Sequence, residues 1–391
     1  MAKKVTMQQI ADQLGVSKFV VSKALSGKGG VSEATRERVI RAASQLGYFT
    51  QPRGYGQAAR RIPDPARTRD PGRQSVLVLM PNVRFQTPES LYWGRILNGV
   101  TEALEEQGLG IVIVSEQRID AVTSVLNPDG ILGLIGIGEI STPLLLDVHR
   151  LGLPTVLIDH EDPLVPADTV FAGNVDASMR LTNHLIGCGH RRLHFLGSAG
   201  FSRSFRDRWS GFRAALESRG LRVQGGSDPM NHLAGIDGAA YEPELRQWLA
   251  KRRRQHALPT ALVCANDDVA LVAARSLASL GLRVPEDVSL TGFDNIDAAG
   301  GTADSPALTT VHVPKEAMGR RAALRLLERI RDPKAPLEKI LLSSDLVLRS
   351  SVAELPPERI SAEQSGYAEA DGEDEAGSPA ESRGDTGTRG V

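Results

Sequence analysis

The segment from Thr6 to Tyr48, TMQQIADQLGVSKFVVSKALSGKGGVSEATRERVIRAASQLGY, constrains the fold most, because it holds three helix starts in fewer than fifty residues. Thr6-Met7-Gln8-Gln9 has the capping-box pattern, which predicts a helix from Met7 with Ile10, Ala11 and Leu14 as its apolar stripe and Gly15 as its stop. Ser17 is placed to cap a second helix. In it Val20, Val21, Ala24 and Leu25 share one face, and Lys18, Phe19, Ser22 and Lys23 share the other. Ser32 caps a third, whose Val39, Ile40, Ala43 and Leu46 close a small core.

Two helices joined by a turn of three or four residues form a helix-turn-helix, whose second helix enters the DNA major groove. Lys18 and Lys23 suit guanine edges or phosphate, and Phe19 offers only apolar contact, such as a thymine methyl. Ser32, Thr35 and Arg36 suit phosphate at a helix start, and Thr6, Ser17 and Ser22 border the same surface. A merely solvated helix face is the bland alternative. An exposed ring between two lysines argues against it, as does the charge: residues 1–62 carry eleven Lys or Arg against three acids.

At 391 residues the chain exceeds one ordinary core, so several folded units are expected. No apolar run is long enough to span a bilayer, and the polar start MAKKVTMQQ lacks the core of a signal peptide. Cys188 and Cys264 are the two cysteines, too few for a disulfide framework or a metal cluster, and each is expected to be a buried thiol. These features lead to the expectation of a cytoplasmic protein without membrane partners. Residues 354–391 carry ten acids against three arginines and are expected to form a disordered acidic tail.

From Ser75 onward, apolar runs alternate with amphipathic stretches. The runs at 76–80, 110–114, 131–135, 155–158, 193–196, 261–265 and 288–291 read as strands. Stretches at 90–107, 177–188, 206–218, 267–280 and 315–330 read as helices. Such alternation predicts parallel sheets covered by helices, in two doubly wound α/β lobes with a ligand cleft at the strands' carboxyl ends. The expected division is an all-α head over 1–50, a linker over 51–74, a two-lobed body over 75–350 and a tail over 351–391.

The head motif VSKFVVSKAL followed by SGKGGVSEATRERVIRAASQLGY resembles the lactose-repressor (LacI/GalR) family of bacterial transcription regulators. Val20 departs from it, standing where the family usually has a Thr that touches phosphate. The resemblance continues through HLIGCGHRRLHFLG, RDRWSGFRAAL, PTALVCANDDVALVAARSLASLGLRVPEDVSLTGFDN and PALTTVHVP, and implies a periplasmic-binding-protein-like body. By position it implies effector contacts at Asp159, Arg208, Asn266, Asp267 and Asp294. An Arg fork with carboxylate and amide acceptors suits a polyol. In the linker it implies a displaced hinge helix, with Ala59, Arg60 and Ile62 at the minor groove and Ile62 as the wedge. Two further departures are the short connection Ser115–Asp129 and Gly173-Asn174, where the family usually has Asp-Asn.

The implied function is that of a homodimeric regulator, most simply a repressor, binding a near-palindromic double-stranded operator under control of a sugar-like effector. A purine-type corepressor is the alternative effector, and a solute-binding receptor without a DNA role is the alternative class. No cofactor, metal site or catalytic constellation is expected. Gly133, Gly136 and Gly138 lack the spacing of a phosphate loop, and His184, His190 and His194 lack that of a zinc site.

Overall fold

The computed structural model describes residues 5–25, 30–46, 48, 74–81, 92–115, 130–223, 228–236, 240–296, 300–301 and 306–358. The head comprises α1 (Met7–Leu14), α2 (Lys18–Leu25) and α3 (Glu33–Gln45). Thr6 and Gln9 complete the capping box at the start of α1, and Gly15 closes the helix in the left-handed region at φ 64°. Ser17 Oγ accepts from Val20 N at 3.2 Å and Ser32 Oγ accepts from Thr35 N at 3.3 Å, so each later helix has its own cap. Ile10, Ala11, Val21, Ala24, Leu25, Val39 and Ala43 are buried between the three helices, while Ile40 and Leu46 lie at the core's edge.

The body has two lobes. The first contains a six-stranded parallel sheet built from β1 (Ser75–Leu79), β2 (Gly110–Val114), β3 (Ile131–Ile137), β4 (Thr155–Ile158), β5 (Asp168–Ala172) and β10 (Lys339–Leu342). Its strand order is β10-β5-β4-β3-β1-β2. Alternate side chains separate its two faces. Val76, Val78, Ile135, Ile137 and Val156 meet α4 (Tyr92–Glu105) and α10 (Lys315–Arg331) on one side. Leu77, Leu79, Leu134 and Leu157 meet α5 (Thr142–Arg150) on the other. Helices α4 and α10 cross in close contact: a Cβ on Gly99 would lie 2.0 Å from the Glu316 carbonyl, and one on Gly319 would lie 2.0 Å from that of Ile96. Gly133 and Gly136 are likewise packing residues, hemmed in by Leu326 and by Ile140 and Leu157.

The second lobe holds the parallel strands β6 (Leu193–Leu196), β7 (Ala261–Cys264) and β8 (Ser289–Thr291). Bridges Thr291–Thr309 and Asp294–His312 bring β9 (Thr310–His312) alongside, and β9 pairs antiparallel with β11 (Asp345–Val347). Helices α6 (Asn174–Gly187), α7 (Arg203–Glu217), α8 (Glu242–Arg254) and α9 (Asp267–Ser279) complete it. The chain passes between lobes three times: at Gly173 between β5 and α6, at Val313-Pro314 between β9 and α10, and at Ser343-Ser344 between β10 and β11.

Several boundaries differ from expectation. β5, β9, β10 and β11 have no counterpart among the expected strands, and α6 begins at Asn174 rather than Ala177. The folded body passes residue 350: Leu290 N donates to Ser351 O at 2.8 Å, Ala353 N to Ser289 Oγ at 3.0 Å and Leu355 N to Cys188 O at 2.8 Å. This segment adds backbone partners at the second lobe's edge, which composition does not reveal. Cys264 is buried but Cys188 only half so, because it sits where α6 ends. The hinge positions Ala59, Arg60 and Ile62, the short connection 116–129 and the tail beyond 358 lie outside the described residues.

Candidate functional site

On the head, α2 buries Val21, Ala24 and Leu25 and turns its other face outward. Phe19 is 67% exposed, with Lys23 Nζ 4.9 Å from its ring centroid. Lys18 is exposed, and Ser22 and Lys23 are half-buried beside it. Ser32 Oγ and Thr35 Oγ1 lie 2.8 Å apart at the start of α3, with Arg36 one residue on. Thr6 and Ser17 are exposed at the starts of α1 and α2. The face therefore combines a bare ring, two ammonium groups and three helix N-termini, the last of which suit phosphate.

In the body, side chains from both lobes converge where the strands end. Asp159 follows β4 in the first lobe with φ 55°, and its Oδ1 accepts a hydrogen bond from Ser204 of α7 in the second. Arg208, 3% exposed, donates from Nε to Asn174 Oδ1 at 2.9 Å, from Nη1 to Ala265 O at 2.8 Å and from Nη2 to Asp294 Oδ1 at 2.9 Å. Its guanidinium also lies 3.9 Å from the Phe293 ring centroid. The mouth is clasped by a second contact between lobes, in which Arg203 pairs with Glu161, itself paired with Lys339. Arg203 also stacks 4.4 Å from the Phe171 centroid.

Burial pushes the Asp159 carboxyl up to about 6, against the opposing pull of Ser204 and Arg208. Burial also raises Asp294, with Arg208 and Lys315 holding it back, and takes Asp267 up to about 7. Asp267 is fully buried and serves the protein itself: Oδ2 accepts from Ile296 N at 2.9 Å and Oδ1 from Thr310 Oγ1 at 2.6 Å. Gly292 makes room for it, since a Cβ there would stand 2.0 Å from Asp267 Oδ1. Asn266 Oδ1 accepts from Val269 N at 2.9 Å and so caps α9. Of the five expected effector residues, then, Asp159, Arg208 and Asp294 meet across the cleft, while Asp267 braces the turn beneath it and Asn266 caps the adjoining helix.

Sequence reasoning did not single out Tyr92, Asn174 as a partner of Arg208, Ser204, Arg203, Glu161 or Lys315. Tyr92 opens α4 and is 8% exposed, and its hydroxyl has no hydrogen-bond partner among the described residues. Its pKa is raised by burial and then by the charges of Asp159 and Asp294, while Arg208, whose guanidinium also acts on the phenol, opposes them. An aromatic at the start of the first body helix was the available signal. Nothing local marks the others, since their partners are tens of residues away. The histidines go to separate places: His194 lies 3.4 Å from Asp228, His190 bonds to Ala353 O at 3.1 Å, and His184 lies 3.9 Å from Cys188 Sγ.

The family model for bacterial regulatory proteins of the lacI family matches residues 6–51, and that for a periplasmic binding protein-like domain matches 182–352. Across nearly its full length the chain is similar to the HTH-type transcriptional regulator MalR of Streptomyces coelicolor. The identity is 30% over 379 residues, covering 90% of this chain and 98% of that one. The chain belongs to the LacI/GalR family of bacterial helix-turn-helix transcription regulators.

Another relative is the HTH-type transcriptional repressor PurR of Haemophilus influenzae, 30% identical over 357 residues, covering 89% of this chain and 98% of the relative. Two solved structures share the fold. The complex of the transcriptional regulator CelR with cellobiose has a TM-score of 0.63 and 24% identity, covering 89% of this chain and all (100%) of the other. A LacI family regulator from Enterococcus faecium with bound ribose has a TM-score of 0.58 and 22% identity, covering 72% of this chain and 100% of the other. The chain is accordingly a sequence-specific DNA-binding transcription regulator, and membership of that family makes it not an enzyme. Among the described residues no helix is long and apolar enough to cross a membrane.

Proposed function

We propose that the chain acts as a homodimeric repressor whose effector is a carbohydrate held between the two lobes. Two copies of the head, related by the dimer axis, would read the halves of a near-palindromic operator. Lys18, Phe19 and Lys23 are the base-reading candidates and Ser32, Thr35 and Arg36 the phosphate contacts. The observation that carries the effector reading is the convergence of Asp159, Ser204, Arg208 and Asp294 from opposite lobes. Charged and hydroxyl groups gathered in this way can hold several ligand hydroxyls at once. The cellobiose and ribose complexes with the same fold agree with that chemistry. A ligand that fits one lobe arrangement better than another shifts their balance, and with it the separation of the heads.

The test is a mobility-shift titration of Arg208→Ala with operator DNA and a carbohydrate that releases or tightens the wild-type protein. The variant is expected to bind operator as wild type does and to lose the carbohydrate response. Retention of the full response would place the effector elsewhere.

A further inference from the structure

The strands β6, β7 and β8 run parallel with their carboxyl ends toward the cleft, so their amino ends lie at the opposite end of the second lobe, where α8 finishes. That end is basic. α8 closes on Lys251-Arg252-Arg253-Arg254, and exposed His256 follows. A helix dipole favours cations in a last turn, but its pull fades within that turn and does not ask for four in succession. Two of the four serve the fold: Arg252 lies 5.3 Å from the Trp248 ring centroid, and Arg253 donates to Leu280 O. Lys251 and Arg254 are exposed, and among the described residues neither has a protein acceptor. The chain leaves the fold at this same end. Ala353 N donates to Ser289 Oγ at 3.0 Å, Ser289 N to Thr260 O at 2.9 Å and Thr260 N to Arg192 O at 2.9 Å. This row of bonds joins the root of the tail to the segment that follows α8.

Residues 359–391 carry eight acids against three arginines, and five of the acids fall between Glu369 and Glu375. We propose that this acidic tail docks on the Lys251–Arg254 end of the second lobe and screens it from nucleic acid. Reach is ample: the eleven residues from Glu358 to Glu369 extend up to roughly 36 Å. Thr260 stands two strand spacings, about 10 Å, from Ala353. Exposed cations in succession attract any duplex through its phosphates, without regard to sequence. Carboxylates tethered beside those cations meet them at a local concentration on the order of millimolar, and so compete with free duplex. The basic head is the rival occupant by charge. It joins the body from the other end of the chain, through residues 49–73, whereas the end of α8 neighbours the tail's own root.

The test keeps the full chain and neutralises the cluster, with Glu369→Gln, Asp371→Asn, Glu373→Gln, Asp374→Asn and Glu375→Gln combined. Chemical labelling of lysine amines and arginine guanidiniums is followed by mass spectrometry at low salt. Lys251 and Arg254 are expected to react severalfold faster in the variant than in wild type, while Lys18 and Lys23 react alike in both. The difference should vanish near 1 M salt, where charges are screened beyond about 3 Å. A non-operator duplex is expected to bind the variant severalfold tighter, and adding Lys251→Gln and Arg254→Gln should remove that gain. Equal labelling of Lys251 and Arg254 in the two chains overturns the proposal. So does a change confined to Lys18 and Lys23, which would put the tail on the head. Unchanged duplex affinity, or a gain that survives Lys251→Gln and Arg254→Gln, overturns the screening role.

Discussion

Phe19 shows what a single side chain can reveal. A ring 67% exposed gains little from folding, so its removal should leave stability within about 0.5 kcal/mol of wild type. Operator discrimination should nonetheless drop in Phe19→Ala, by up to about 1–3 kcal/mol if the ring meets a base edge. Binding to operator and to scrambled duplex at one salt concentration checks this, and an unchanged ratio would remove Phe19 from base reading. Asp267 behaves in the opposite way, being wholly inside and charged only at a cost. Its carboxyl rises from 3.8 to about 7, so within that interval the folded state holds a proton that the unfolded chain releases. Its contribution to stability is therefore full below the lower value and is lost as pH climbs through the upper one. Asp267→Asn should remove that loss, with melting temperatures improving on wild type as pH rises from acid to mildly alkaline. A constant difference across the scan would contradict the raised range. Neither role was equally legible beforehand: Phe19 sits in a local pattern, whereas the partners of Asp267, Ile296 and Thr310, are 29 and 43 residues away.

Among elements, the head was readable almost to the residue because its signals are local. Caps, a left-handed glycine and helical spacing specify each helix without help from the rest of the chain. β5 was not readable. It opens on Asp168, an unpromising strand residue that is 0% exposed, because α10 delivers two guanidinium groups to it. Arg325 Nε meets Oδ1 at 3.0 Å, Arg329 Nε meets Oδ2 at 2.8 Å, and Glu338 N donates to Oδ1 at 2.8 Å. Sequence separations of 157 and 161 hide this arrangement from any window-based reading. Asp168→Ala leaves the buried Arg329 without its carboxylate and Arg325 with only the half-exposed Glu328 and Glu338, and a loss of about 3–5 kcal/mol is expected. Chemical unfolding measures it directly; a loss below about 1 kcal/mol, the scale of an exposed pair, would mean the cluster is solvated. The edge strands β10 and β11 escaped for a related reason, since their half-exposed faces carry too weak an apolar signal.

For the whole molecule, alternation of strands and helices implied two lobes, but not that the chain threads between them three times. Two of those passages follow β9 and β10, strands with no clear sequence signal. The contacts across the mouth are also a property of the assembled lobes alone. Glu161 receives Arg203 from the opposite lobe while also pairing with Lys339 of its own. Glu161→Gln should relax this clasp. A larger radius of gyration for the variant in solution scattering without effector, together with weaker effector binding by a fewfold, is the expected outcome. Identical scattering profiles would show that the pair does not hold the lobes.

The glycine crossing of α4 and α10 ties these scales together. Tyr92 opens one helix and Lys315 the other, and between them Gly99 and Gly319 bring backbone against backbone with no side chain to yield. A pull on the tyrosine is therefore not absorbed as local give. The two helices are expected to shift together, so that a ligand drawing on the phenol would bear on α10 as well as on α4.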